Sequence, residues 1–352
     1  MKENIETNKC TFGRTDLAKD EYENKSYQNL EDFKNIESEL YNIKITKNIV
    51  GERASETINK QPGTYYTIDL SDLDIHDTKT LDNIEYVFAT TLRDLLKEEK
   101  LLNKKAFVVG LGNSNVTPDA IGPTTLDNIV VTRHLENMNM LSDGFSNVCA
   151  MAPGVMGSTG IETYDIIESI LPKIDVDYII VVDALATNSI KRINKTIQLT
   201  NTGIKPGAGI GNKRKELSKK TLGIPVIAIG VPTVVDATTI TVDAINMVLK
   251  QLYLENNNKT SLANKLSTSL VKEDLDNVNN ISNKEKSAFF GSFGLLSNLE
   301  QKTLIEEILT PQGYNLIVTP KEIDIDVHDL SKIIANGINM ALHIGIYNMN
   351  KE

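Results

Sequence analysis

YIIVVDAL, residues 178–185, is the stretch on which the fold turns. Tyr178 and four β-branched residues run without interruption into Asp183. A short, continuous apolar run rich in Val and Ile suits a strand buried on both faces, as in a parallel sheet. AFVVGL (106–111) and PVIAIGV (225–231) repeat the pattern on either side in sequence. Helical spacings lie between and after these runs. Pro123 suits a first helical turn and is followed by Leu126, Ile129 and Val130 at i, i+3, i+4. Thr159-Gly-Ile-Glu162 has capping-box spacing ahead of Ile166, Ile167 and Ile170. Ile245, Val248, Leu249 and Leu252 form another stripe. Strands alternating with helices predict β-α-β units and an α/β fold: a mostly parallel sheet flanked by helices on both faces.

Outward from this centre the chain is less regular. Residues 1–40 hold six Lys/Arg against ten Asp/Glu and read as an exposed or partly ordered leader. Residues 255–283 are rich in Asn and Lys with weak periodicity, an exposed excursion rather than a domain boundary. Leu304, Ile305 and Ile308, then Leu330, Ile333, Ile334, Ile338, Ala341 and Leu342, predict two amphipathic helices that pack back on the same core.

Composition narrows the functional classes. The 352 residues are 40% hydrophobic and 24% charged, with a formal net charge of −10. That balance gives enough apolar material for a core and argues against a general nucleic-acid binder, since phosphate is repelled by most of the surface. No run approaches the ~18–20 apolar residues of a membrane span. The first residues, MKENIETNKC, lack the apolar core of a signal peptide. Cys10 and Cys149 are the two cysteines, too few for a disulfide framework, which fits a reducing cytoplasm. Four histidines and two cysteines show no zinc-type spacing, and no cofactor is expected.

In parallel α/β sheets, ligands gather at the carboxyl ends of strands. Asp183 closes YIIVVD, and Asp119 lies in GLGNSNVTPDAIGP (110–123), the loop leaving AFVVGL. If the two strands are neighbours, the carboxylates can face each other and share one proton, the requirement for acid/base work on a peptide bond. The same positions also suit a strand-end aspartate bonded to a loop, and a turn or helix cap after Pro118.

Other candidates carry less. Gly154, Gly157 and Gly160 could present N–H groups to an anion, although a strand-to-helix turn needs glycines anyway. Ser158 lacks a nucleophile elbow. His134 would share the face of Leu126 and Val130 as a core or edge histidine, and Cys149 reads as an inert core thiol. Lys205–Lys220 holds six Lys/Arg against one Glu, a local reversal of charge that would attract an acidic peptide or lie at the surface or a subunit contact.

Long stretches at these residues resemble the germination protease family of endospore-forming bacteria. They are VVGLGNSNVTPDAIGPTTLDNIVVTRHL (108–135), APGVMGSTGIET (152–163), IIVVDALA (179–186), residues 201–237 and LIVTPKEID (316–324). The resemblance implies an endopeptidase that degrades small acid-soluble spore proteins during germination, with Asp119 and Asp183 as an aspartic-type pair. It implies a self-processing zymogen: FGRTDLAKDE (12–21) resembles the family's processing site, cut between Asp16 and Leu17. Residues 1–16 would then be a propeptide and 17–352 a single peptidase domain. A homotetramer of the forespore and spore core is implied, with neither nucleic acid nor membrane as partner. The family is similar in fold to hydrogenase maturation proteases, whose opening loop resembles GLGN (110–113). Acidic residues of those enzymes bind a metal, so a metal-dependent peptidase using Asp119 and Asp183 is the alternative. A non-enzymatic protein whose glycine loops hold an anion and whose basic loop docks a partner is a third reading.

Overall fold

The three apolar runs are strands in the computed structural model, which describes residues 30–58, 60–75, 77–206, 214–257, 278, 281–309 and 316–349. In chain order the first elements are β1 (Phe33–Leu40), β2 (Ile43–Val50), α1 (Glu52–Ile58), β3 (Gly63–Asp69), α2 (Thr78–Glu98) and β4 (Ala106–Gly110). Then come α3 (Ile121–Leu126), α4 (Arg133–Asn137), β5 (Val148–Met151), α5 (Met156–Thr159), α6 (Thr163–Ile174), β6 (Tyr178–Thr187), β7 (Thr196–Thr200) and α7 (Lys219–Leu222). The remainder is β8 (Val226–Asp236), α8 (Ala237–Asn257), α9 (Asn283–Phe290), α10 (Asn298–Leu309), β9 (Ile317–Val318), α11 (Ile323–Leu342) and α12 (Ile344–Met349). The chain divides into a larger unit, residues 14–235 with 319–352, and a smaller one that holds 236–318.

The larger unit is α/β. Its strands run in the order β1-β2-β3-β7-β8-β6-β4-β5. From β8 to β5 every pairing is parallel, and from β1 to β8 every pairing is antiparallel. The parallel half is the part that the apolar runs announce, and the remaining strands form an antiparallel wing on it. Alternation along β6 feeds two apolar layers. Ile180 and Val182 join Val108 of β4, Phe88 and Leu92 of α2, and Ile334 and Ile338 of α11 on one face. Ile179 and Val181 join Phe107 and Val109 of β4 and Ile167 of α6 on the other. Burying each such side chain contributes about 1.5–3 kcal/mol, which is why continuous apolar runs stay in the middle of a sheet.

Several local expectations are corrected. Residues 33–40 are a strand rather than a loose leader. FKNIESEL buries only Phe33 and Leu40 is partly covered, so its hydrophobic signal is faint. The backbone ladder to β2 holds it, closed by the two-residue turn Tyr41-Asn42 with φ of 54° and 63°. The helix at Pro123 ends at Leu126, leaving Ile129 and Val130 beyond it. The capping box at Thr159 does not form. Thr159 Oγ1 bonds Val155 and Ile161 carbonyls, and the Glu162 carboxylate instead accepts the Lys215 N–H at 2.7 Å. α6 therefore starts without a side-chain cap.

Of the two C-terminal helices, α11 joins the main core, with Leu330, Ile333, Ile334 and Ile338 fully buried. α10 belongs to the smaller unit, where it packs on α8. In that unit α9 and α10 begin with reciprocal Ser–Glu caps: Ser282 with Glu285, and Ser297 with Glu300. Leu249 and Ile305 are buried there, whereas Val248 and Ile308 are exposed. Asp16, Leu17 and most of the excursion at 255–283 lie outside the described residues.

Candidate active site

β4 and β6 are neighbours, with Gly110 level with Val182. As the chain leaves β4, the Leu111 N–H donates to the Val182 carbonyl at 2.8 Å, so the following loop starts beside Asp183. Asp183 does not end its strand. β6 continues to Thr187, and its register against β8 slips between Leu185 and Ala186. Strand alternation puts Asp183 on the same sheet face as Ile179 and Val181, the face covered by α6. It is 6% exposed, and its Oδ1 accepts the Ala184 N–H at 3.0 Å.

Asp119 ends a single 3-10 turn, Thr117–Asp119, with Pro118 in the first turn where its missing N–H costs nothing. The loop folds back on itself at Asn113. The Asn113 N–H reaches Asp119 Oδ2 at 2.8 Å and the Asp119 carbonyl at 3.1 Å. Gly112, at φ +113°, makes this closure possible, since a Cβ there would lie 1.9 Å from the Asp119 carbonyl oxygen. Thr233 of β8, fully buried, donates its hydroxyl to the Pro118 carbonyl at 2.6 Å. The turn lies against β6, so Asp119 and Asp183 share one edge of the sheet.

Burial pushes the Asp119 carboxyl above the usual carboxylate range, while the Asn113 N–H and the cation of Arg214 pull it back down. Arg214 belongs to the basic segment, of which residues 207–213 lie outside the described residues. The segment's base is well built. Ile204 and Leu217 exchange backbone hydrogen bonds of 2.9 and 2.8 Å, and Leu217 is buried in the same apolar layer as Leu111 and Val181. Lys215 is tied to the start of α6: its Nζ lies 2.7 Å from Asp165 and 4.8 Å from the centre of the Tyr164 ring.

Among the described residues no three His, Cys, Asp or Glu side chains gather where they could hold a metal ion. The glycines of APGVMGSTG form a turn: Gly160 caps the four-residue α5 at φ +72°, and Gly154 sits at φ +75°. Ser158 is exposed and donates to the Val155 carbonyl. His134 is exposed on α4 rather than sharing a face with Leu126. Among the described residues the buried histidine is His343, whose Nδ1 accepts the Ser146 N–H at 3.2 Å while Nε2 faces the Val130 carbonyl at 3.2 Å. Burial lowers its pKa from the ordinary imidazole value, against a smaller upward pull from the Val130 carbonyl. Cys149 is half-buried on β5 rather than in the core, and burial pushes its thiol pKa up.

Thr233 was not singled out by sequence reasoning, although a Thr inside the apolar run of β8 is a visible anomaly. Arg214 was hidden among the charges of its segment.

A family model described as germination protease matches residues 12–352. The germination protease of Bacillus cereus (strain AH187) is 44% identical over 359 residues, covering 97% of this chain and 96% of that one. That of Bacillus mycoides (strain KBAB4) is 44% identical over 361 residues with the same coverage. Among solved structures, the [NiFe] hydrogenase maturation protease HycI from Thermococcus kodakarensis KOD1 aligns with a TM-score of 0.26 and 17% identity, over 41% of this chain and 80% of that one. No helix among the described residues is long and apolar enough to cross a membrane. Matched along almost its whole length by the family and by its curated relatives, the chain belongs to the germination protease family.

Proposed function

We propose that this protease is made as a zymogen, removes residues 1–16 by cutting between Asp16 and Leu17, and then degrades small acid-soluble spore proteins with Asp119 and Asp183 as its reacting pair. The observation that carries the reading is the parallel pairing of β4 with β6, which sends the Asp119 turn and Asp183 to one edge. In this reading Asp119 is the acid. Asp183 is the base. Water attacks the scissile carbonyl carbon, Asp183 takes a proton from that water, and Asp119 gives its proton to the carbonyl oxygen. Collapse of the tetrahedral carbon breaks the C–N bond: the proton held by Asp183 leaves on the amine, and one hydroxyl returns its proton to Asp119. The enzyme works as a homotetramer in the forespore and spore core, on protein free of DNA, because an extended segment is what reaches the aspartates.

The test is cleavage of a purified small acid-soluble spore protein by wild type, Asp119→Asn and Asp183→Asn, with and without chelator. Each substitution keeps shape and removes the ionisable group, so a loss of about 10²–10⁴-fold in kcat is expected with the circular dichroism spectrum retained. Full activity in either folded variant removes that residue from the mechanism. Loss with chelator, restored by a divalent ion, would replace the dyad by a metal-dependent peptidase. Intact mass after activation checks the cut: a retained leader rejects it.

A further inference from the structure

β8 carries one residue more than its neighbour can match. Leu185 of β6 faces Pro232 and Ala186 faces Val234, so Thr233 between them has no opposite residue on β6. A bulge of this kind turns one residue's groups out of the ladder, and here both are used. The Thr233 hydroxyl donates to the Pro118 carbonyl at 2.6 Å, and the Thr233 carbonyl accepts the Thr319 hydroxyl at 2.9 Å. Pro118 and Asp119 share a peptide plane whose other end is also tied, since the Asp119 N–H donates to the Val116 carbonyl at 2.8 Å. With both ends of that plane fixed, Asp119 leaves it in one direction. Thr319 itself stands on a stiff mount. Pro320 steers it toward extended backbone, and the Pro320 carbonyl accepts the Ile323 N–H at 3.3 Å where α11 begins. α11 buries Ile323 and Val327 in the main core and packs against the Asp119 turn, and its Ser331 hydroxyl reaches the Ile121 carbonyl at 3.3 Å. The contacts close a circuit: turn to β8, β8 to Thr319, Thr319 to α11, and α11 back to the turn.

We propose that Thr319 is a positioning residue for peptide cleavage, acting on Asp119 through the Thr233 bulge. The proposal rests on Asp119 being one of the reacting pair. Thr319 works at second hand. Its hydroxyl fixes the Thr233 carbonyl, the fixed bulge aims the Thr233 hydroxyl, and that hydroxyl sets the peptide that carries Asp119. A bulged residue lacks the ladder bonds that hold an ordinary strand residue, so a side-chain donor to its carbonyl decides its angle. Without the Thr319 hydroxyl, the carbonyl of a fully buried residue loses this donor, and the bulge is free to turn.

The experiment is a double-mutant cycle on the activated enzyme, with a purified small acid-soluble spore protein as substrate. Thr319→Val keeps shape and removes the hydroxyl. It should lower kcat about 10-fold, the rate equivalent of one hydrogen bond, and leave KM unchanged. Thr319→Ser, which keeps the donor, should restore wild-type kcat, and Thr319→Ala is the second removal should the first not fold. Thr319→Val in a Thr233→Val background should add nothing, because no hydroxyl is left to aim. In both single Val variants the limb of the kcat–pH profile that reports Asp119 should move to lower pH. A looser turn lets water in on a carboxyl that burial holds above the usual range. A loss of stability alone would not move that limb. Wild-type kcat in folded Thr319→Val overturns the proposal. So do an unmoved limb, a Thr319→Ser enzyme as slow as Thr319→Val, or losses that multiply in the double variant. An active Asp119→Asn enzyme would instead refute the reacting pair, and the same cycle read in urea unfolding would still show whether the two threonines act as one.

Discussion

The two halves of the sheet solve different problems. In the parallel half, β4, β6 and β8 are apolar on both faces, and the polar groups that matter stand where the chain turns off the strand ends or interrupts them. Asp119, Asp183 and Thr233 are of this kind. In the antiparallel wing, polar side chains are buried in the middle of strands without evident use. Asn48 of β2 and Thr67 of β3 are 1% and 0% exposed, and neither side chain has a hydrogen-bond partner among the described residues. The parallel half is not free of such groups, since the Tyr178 hydroxyl of β6 is likewise buried without a partner among the described residues, but its two aspartates share an edge.

The contrast can be broken at the loop first. Gly112→Ala forces a Cβ to within 1.9 Å of the Asp119 carbonyl oxygen at a backbone angle that Ala resists. Displacing the carboxyl should cost roughly 10²-fold in kcat. The strained backbone should also cost about 1–3 kcal/mol in urea unfolding. Wild-type kcat in a folded Gly112→Ala protein would detach the loop from the chemistry. Thr233→Val is gentler. It leaves the Pro118 carbonyl without its donor, for an expected loss of about 1–3 kcal/mol in stability and a smaller fall in kcat than Gly112→Ala. Unchanged values in both would show that β8 does not support the Asp119 turn. Asn48→Leu, in the wing, should leave peptide cleavage untouched and raise stability by up to about 1 kcal/mol, since an unpaired buried amide is replaced by an apolar group of similar size. A clear loss of stability would instead mean that Asn48 is bonded through buried water.

These differences also explain what the sequence could reveal. YIIVVDAL and AFVVGL are legible because burial on both faces leaves no other composition open to them. Once they are neighbours, the location of Asp119 and Asp183 on one edge follows. β1, β2 and β3 are not legible in the same way. FKNIESEL is almost wholly exposed and is defined by backbone pairing, while IKITKNIV and GTYYTID are largely covered but mix polar with apolar residues, so no apolar run marks them. Glu162 misled for another reason. Its spacing from Thr159 is that of a local cap, but Lys215, 53 residues on, takes the carboxylate. Tertiary partners of that kind leave no periodic trace. For the same reason Arg214 could be seen only as one charge among six.

The loop that carries Asp119 departs from and returns to the sheet through glycines in direct backbone contact. A Cβ on Gly110 would lie 2.3 Å from the Gly122 carbonyl oxygen, and one on Gly122 would lie 2.2 Å from that of Leu111. Residues 111–121 therefore form a ring closed without a covalent bond, with Ser114, Asn115 and Val116 on its exposed arc. That arc is the natural attachment point for a reporter. A cysteine placed at Ser114 and labelled with an environment-sensitive dye would sense the arrival of substrate at the rim, while the clasp below keeps the two aspartates in register.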